Sequence, residues 1–103
     1  MKKNVDTLNV LIRAFCADYE RRRGIILGGS ASRRVDNELK YYNFKIYDAA
    51  AEICGEDLAE IFVDDIGFER GYAGSKAEYI SESTYKRLKP LIVENIAAKL
   101  YLK

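Results

Sequence analysis

In NVDTLNVLIRAFCADYERRR, residues 4–23, apolar side chains fall at Val5, Leu8, Ile12, Phe15 and Tyr19. Steps of three and four put them on one face of an α-helix, because successive residues rotate by about 100°. The same spacing returns in three further stretches, and no alternation of period two lasts long enough to make a strand. That regularity narrows the fold to an all-α domain, a small bundle of four to five helices. At 103 residues the chain has room for one domain, residues 1–103, and one modest core.

The first helix is expected from about residue 5 to 23, with Asn4 or Asp6 as N-cap and a stop near Gly24. Arg21, Arg22 and Arg23 fall in its last turn, where cations complement the negative end of the helix dipole. GIILGGSASRR then reads as a connector, its glycines and serines disfavouring a regular element while Ile25, Ile26 and Leu27 pin it to the core. It lacks both the lysine of a phosphate-binding loop and a strand leading into it, so nucleotide binding is not expected. SRRVDNELKYYNFKIYDAAAEIC forms the second helix. Val35, Leu39, Tyr42, Ile46, Ala49, Ala50 and Ile53 lie on one face, and Gly55 ends it. Tyr41, Phe44 and Tyr47 widen its apolar surface. EDLAEIFVDDI is a shorter third helix burying Leu58, Ile61, Phe62 and Ile66, with Gly67 as its stop. Gly67, Gly71 and Gly74 then mark a loop, with a short helix starting after Ser75. The last helix runs from about Ser81 to Leu102 on the stripe Tyr85, Leu88, Ile92, Ile96 and Leu100. The stripe keeps phase across Pro90, the one proline, so a single kinked helix is expected.

Composition excludes several chemistries. Without histidine there is no imidazole base, no Ser-His or Cys-His pair and no His-ligated zinc. Cys16 and Cys54 are far from any CxxC spacing and read as small buried hydrophobes of a reducing compartment. Asp64, Asp65 and Glu69 offer oxygens to a cation, but neighbours on a helix point about 100° apart and converge poorly. They read as a solvated acidic face, so neither an enzyme, nor a cofactor, nor a metal site is expected. No apolar run approaches the ~18 residues a membrane span needs, and Asp6, Asn9 and Arg13 interrupt any signal-peptide core. A cytoplasmic protein is the expectation.

The net charge of +1 hides a pattern. Residues 1–40 carry nine bases and five acids, residues 41–69 one base and eight acids, and residues 70–103 seven bases and three acids. Either the three segments neutralise one another on folding, or they choose different partners. Tyr41, Tyr42, Tyr72 and Tyr79 read mainly as core and rim residues, although such rings also stack bases or anchor partners.

The most informative stretch is YISESTYKRLKP, residues 79–90. SKAEYI can supply the first helix of a helix-turn-helix over 75–102, and SESTYKRLK the start of the second, capped by Ser81 or Ser83. With Tyr85, Leu88 and Ile92 inward, Glu82, Ser83, Lys86, Arg87 and Lys89 turn toward solvent. Lys86 and Arg87 suit guanine edges, and Ser83 and Thr84 suit bases or phosphates. The IS-x-ST-Y run from Ile80 to Tyr85, the bases Lys86 to Lys89 and the NIAAKL tail resemble the C-terminal end of phage late-gene transcriptional regulators of the ArpU and RinA type. These look like the fourth region of bacterial sigma factors. The resemblance covers the last third of the chain and implies DNA contacts at Ser81, Ser83, Thr84, Lys86 and Arg87. Pro90 and the short, glycine-flanked supporting helix depart from that pattern.

Two functions follow as expectations. The first is a small phage or mobile-element regulator that reads double-stranded DNA with residues 81–89, with Arg33, Arg34, Arg70 and Lys76 on the backbone. The second is a non-enzymatic protein-binding module, such as a small phage-encoded inhibitor. It would use acidic residues 48–69, with Asp64, Asp65, Glu69, Phe68 and Tyr72 at the contact and Tyr42 and Tyr47 as further anchors. No heptad seam is long enough to establish a dimer, which leaves the oligomeric state open.

Overall fold

A computed structural model describes residues 2–74 and 80–100, with side chains from Leu8 onward. Every regular element among these residues is helical, and the order is α1 (Lys2–Ala17), α2 (Tyr19–Gly28), α3 (Arg33–Cys54), α4 (Glu56–Phe68), α5 (Gly71–Gly74) and α6 (Glu82–Lys99). The all-α expectation holds. α3 packs against α2, α4 and α6, and α4 also packs along α1. Ile12, Ile46, Ala49, Ala50, Ala59, Phe62, Ile92 and Ile96 are fully buried where these helices meet. Spacing placed most of them inward, and removing their surface from water contributes the bulk of the stability, ~25 cal/mol per Å² of apolar area.

The first predicted helix is in fact two. α1 starts at Lys2, so Asn4 and Asp6 lie within it, and the helix is interrupted at Asp18, although the Asp18 N–H still donates to Ala14 at 3.1 Å and its carbonyl still accepts from Arg22 at 3.0 Å. The physical cause is Arg22, expected as a solvated end-of-helix cation but only 4% exposed. Its Nη2 donates to the Phe15 carbonyl at 2.5 Å, its Nη1 to Asp18 at 3.1 Å and its Nε to Asn43 at 2.7 Å. In an unbroken helix the Phe15 carbonyl would accept from the Tyr19 N–H. Asn43 in turn donates to the Tyr19 carbonyl at 3.2 Å, which ties the break to α3. Burial pulls the Arg22 pKa down, against the opposing pull of Asp18.

Gly24 does not stop the chain either. α2 continues to Gly28 and ends on Gly29 with φ 67°, the left-handed cap that glycine adopts without a Cβ penalty. The connector therefore shrinks to Gly29–Ser32. Leu27 does not pin it, being 74% exposed on the helix, whereas Ile25 and Ile26 are half-buried. Ser32 caps α3 by accepting from the Val35 N–H, and Gly55 ends α3 as expected. Cys16 is buried and Cys54 half-buried, both free thiols.

Gly67 corrects a further expectation. It lies inside α4, and the helix ends on Glu69, a left-handed residue at φ 51°. A Cβ at Gly67 would sit 2.5 Å from the Ala17 nitrogen and 2.7 Å from the Ala17 Cα. The glycine is there because the backbones of α1 and α4 touch at that point.

Among the described residues five ion pairs join the acidic middle segment to the basic ends: Arg13–Glu69 at 2.8 Å, Arg23–Glu60 at 3.9 Å, Arg70–Asp64 at 2.5 Å, Lys89–Asp65 at 3.0 Å and Lys99–Glu52 at 2.7 Å. The segmental charge pattern thus serves, in part, to neutralise the fold internally. The exposed members contribute little each, ~0–1 kcal/mol.

Candidate nucleic-acid interface

α6 begins as its residues dictate. Ser81 is the N-cap, with φ −71° and ψ 157°, and its Oγ accepts from the Thr84 N–H at 3.2 Å. Such a cap contributes ~1 kcal/mol. The helix runs unbroken through Pro90 to Lys99. Pro90 supplies no N–H, so the Lys86 carbonyl loses its helical donor, a loss tolerated because both residues face solvent. Tyr85, Ile92 and Ile96 are buried and Leu88 is half-buried, as the stripe requires. Ser81, Glu82, Ser83, Lys86, Arg87 and Pro90 are exposed, and Thr84 is partly so. Lys86 is in ion-pair range of Glu82 at 3.4 Å, one turn back.

Lys89 and Asp65 both contradict their expected roles. Asp65 is 0% exposed, so it is no part of a solvated acidic face. Its Oδ2 accepts from the Tyr85 hydroxyl at 2.5 Å and pairs with Lys89 Nζ at 3.0 Å, while its Oδ1 accepts from the Gly71 N–H at 2.8 Å. Lys89 also donates to the Tyr85 hydroxyl at 3.2 Å. Lys89 therefore turns inward to neutralise a buried carboxylate and leaves the outward set of bases. Burial alone would lower its pKa, but the Asp65 carboxylate and the Tyr85 hydroxyl outweigh it and hold the ammonium above its ordinary range. Tyr85 is raised by burial first and by Asp65 second. Its ring stacks on Phe62 at 5.5 Å and meets Tyr72 at 5.4 Å. The Tyr72 hydroxyl donates to the Ile80 carbonyl at 2.6 Å, so α5 is fastened to the start of α6. Nothing in the spacing announces this network, because Asp65 stands on α4 while Tyr85 and Lys89 stand on α6.

The remaining expected contacts scatter. Lys76 and most of the proposed supporting helix, residues 75–79, lie outside the described residues. Arg70 pairs with Asp64 at 2.5 Å and covers the Phe68 ring at 5.1 Å. Arg33 and Arg34 open α3 and are exposed, but Asn43, the first buried residue of α3, stands roughly 15 Å further along the axis. They are not brought to the start of α6 by any contact described. Arg13, Lys86 and Lys89 line one groove of about 670 Å³ between α1 and α6, but Glu69 and Glu94 line it too, and Arg13 and Lys89 are already paired with Glu69 and Asp65.

The acidic alternative is also rearranged. Asp64 is taken by Arg70, Glu69 by Arg13 and Asp65 by the core, and Tyr72 is spent on Ile80. Phe68 is 52% exposed. The acids that do share one region are Asp48, Glu56, Glu60 and Asp57, at the α3–α4 corner. Burial first, and these acids second, raise the Tyr47 pKa, and Glu60 also accepts from the Tyr19 hydroxyl and pairs with Arg23. Among the described residues no group of three or more His, Cys, Asp or Glu side chains could hold a metal ion. No helix among them is long and apolar enough to cross a membrane. Comparison with protein-family models, with curated proteins and with solved structures found no match.

Proposed function

We propose that this chain is a non-enzymatic DNA-binding regulator whose reading element is the start of α6. One observation carries this reading: the first turns of α6 turn Ser83, Lys86 and Arg87 to solvent while Tyr85, on the opposite face, is fixed to Asp65. A base-reading helix needs its contact residues outward and its axis held firmly from behind, because misplacement by an ångström wastes a bidentate contact. Free backbone N–H groups at the N-terminal turn add a place for a phosphate. The likeness of Ile80–Leu100 to phage late-gene regulators agrees with the same residues. Lys89 is not part of the reading set, which reduces to Ser81, Ser83, Thr84, Lys86 and Arg87, with Arg70 and Arg33–Arg34 as backbone contacts only if the duplex reaches them.

Fluorescence anisotropy on a random duplex at low salt, for the parent and for Lys86→Ala/Arg87→Ala, tests it. Loss of both bases should weaken binding by at least about tenfold and flatten the salt dependence, since each phosphate contact contributes ~0.9 to the slope. A parent that does not bind duplex sends the function to the second reading. There the protein-binding surface is the acidic α3–α4 corner around Tyr47, not Asp64 and Asp65.

A further inference from the structure

The first turns of α6 carry one acid on their outward side. Between Ser81 and Pro90 the exposed residues are Ser81, Glu82, Ser83, Lys86, Arg87 and Pro90. Successive residues rotate by about 100°, so Glu82, Lys86, Ser83 and Arg87 share an arc of roughly 140° on the side away from the buried Tyr85 and Ile92. Glu82 opens the helix, where a groove-bound helix contacts base edges. Its part in holding the fold is slight. Ser81 caps α6 without it, and the residue placed to close a capping box is Thr84. Among the described residues its partner is Lys86 at 3.4 Å, the two side chains being 58% and 70% exposed. That is longer than a charge-assisted hydrogen bond, and an exposed pair one turn apart contributes ~0.3–0.5 kcal/mol. Both groups are free to change partner when a duplex arrives.

We propose that Glu82 sets base preference in the duplex by accepting from the N4 amino group of a cytosine, an inference that rests on α6 being the DNA-contacting helix. A carboxylate facing a duplex is repelled by every phosphate, so a face that only gripped the backbone would gain from its removal. In the major groove guanine and thymine oppose it as well, because they present acceptors, and adenine sets its amino group beside the N7 acceptor. Cytosine presents an amino donor with no acceptor beside it on the same base, and a carboxylate oxygen can meet it. Lys86 and Arg87 supply affinity and suit guanine, whereas Glu82 rejects three of the four bases at its position. Arg87 stands five residues further on, roughly 7.5 Å along the axis. The cytosine is therefore about two base-pair steps from the guanine that Arg87 reads.

Selection of bound duplexes from a randomised library tests this, with the parent, Glu82→Gln, Glu82→Ala and Lys86→Ala, each checked for helical content by circular dichroism. The parent should enrich cytosine at one position. Glu82→Gln should move that preference to adenine, whose N6 and N7 fit a carboxamide, and Glu82→Ala should lose it, with the other positions unchanged. On the parent's selected site Glu82→Ala should bind at least about fivefold more weakly, yet on random duplex at low salt no more weakly than the parent. Lys86→Ala should keep the cytosine, which separates direct reading from an effect of Glu82 on Lys86. A cytosine preference that survives Glu82→Ala, or that Lys86→Ala removes as well, overturns the proposal and leaves the DNA-binding reading in place. A parent that binds duplex without enriching cytosine does the same. A parent that binds no duplex overturns both.

Discussion

Replacing Asp65 by alanine removes the acceptor that holds the start of α6. The carboxylate is 0% exposed and receives the Tyr85 hydroxyl, the Gly71 N–H and the Lys89 ammonium. Hydrogen bonds to a charged group contribute ~1.5–3 kcal/mol each. Tyr85, 4% exposed, has no water to turn to, and the Gly71 N–H is part-buried. Lys89 loses less, because its side chain is 29% exposed and can be hydrated. Two bonds at the full cost and a fraction of a third, less the desolvation relieved when the carboxylate goes, give about 3–5 kcal/mol, the range for breaking one partner of a buried ion pair. That is a large part of the ~5–15 kcal/mol a domain of this size possesses. Urea unfolding followed by circular dichroism reads it as a fall in midpoint at unchanged slope. Asp65→Asn keeps the shape and one acceptor and should cost about half as much. If Asp65→Ala costs less than about 1 kcal/mol with an unchanged slope, the carboxylate is not in a buried network and the inward role of Lys89 fails with it.

Gly67→Ala should destabilise by several kcal/mol or prevent folding, measured by the same unfolding, because the added Cβ meets the α1 backbone at 2.5 Å and backbone cannot swing aside. Glu69→Gly should gain up to ~1 kcal/mol from relief of its left-handed φ of 51°, less the small contribution of its exposed pair with Arg13, and a thermal melt reads the sign. Stability should fall on the alkaline side. Burial lifts Cys16 from 9.0 to about 12, and burial with Glu60 lifts Tyr19 from 10.0 to about 12. Between each pair of values the unfolded chain has released a proton that the folded one keeps, so stability is full below pH 9 and declines above it by ~1.4 kcal/mol per unit per proton. Lys89 and Tyr85, both raised, act in the same direction. Cys16→Ala should reduce the slope above pH 9 by one proton, and a pH-independent midpoint would contradict the assignment.

How much was legible in the sequence depends on where the information sits. Periodicity gave α3, α4 and α6 nearly to their bounds, because each carries its own apolar stripe. It merged α1 with α2, because Ile12, Phe15 and Tyr19 keep helical spacing across a break imposed by Arg22 and Asn43 from different helices. It misjudged Gly67, since a glycine that ends a helix and one that admits another backbone look alike in a single chain. At the candidate site the cap at Ser81 and the outward set of Ser83, Lys86 and Arg87 were readable from local order. The inward turn of Lys89 was not. It depends on Asp65, more than twenty positions away, and only the meeting of α4 with α6 makes that carboxylate a buried charge in need of a cation.

The most direct test of the central claim is duplex binding compared across three proteins: the parent, Lys86→Ala/Arg87→Ala and Lys89→Met, each at a temperature where circular dichroism reports it folded. A reading face built from outward bases predicts that the double variant loses affinity by at least about tenfold. Lys89→Met, which removes an inward base but leaves the Tyr85 hydroxyl and the Gly71 N–H on Asp65, should lower the unfolding midpoint yet, where folded, bind within about twofold of the parent. Equal loss from both variants, or none from the first, would contradict the account.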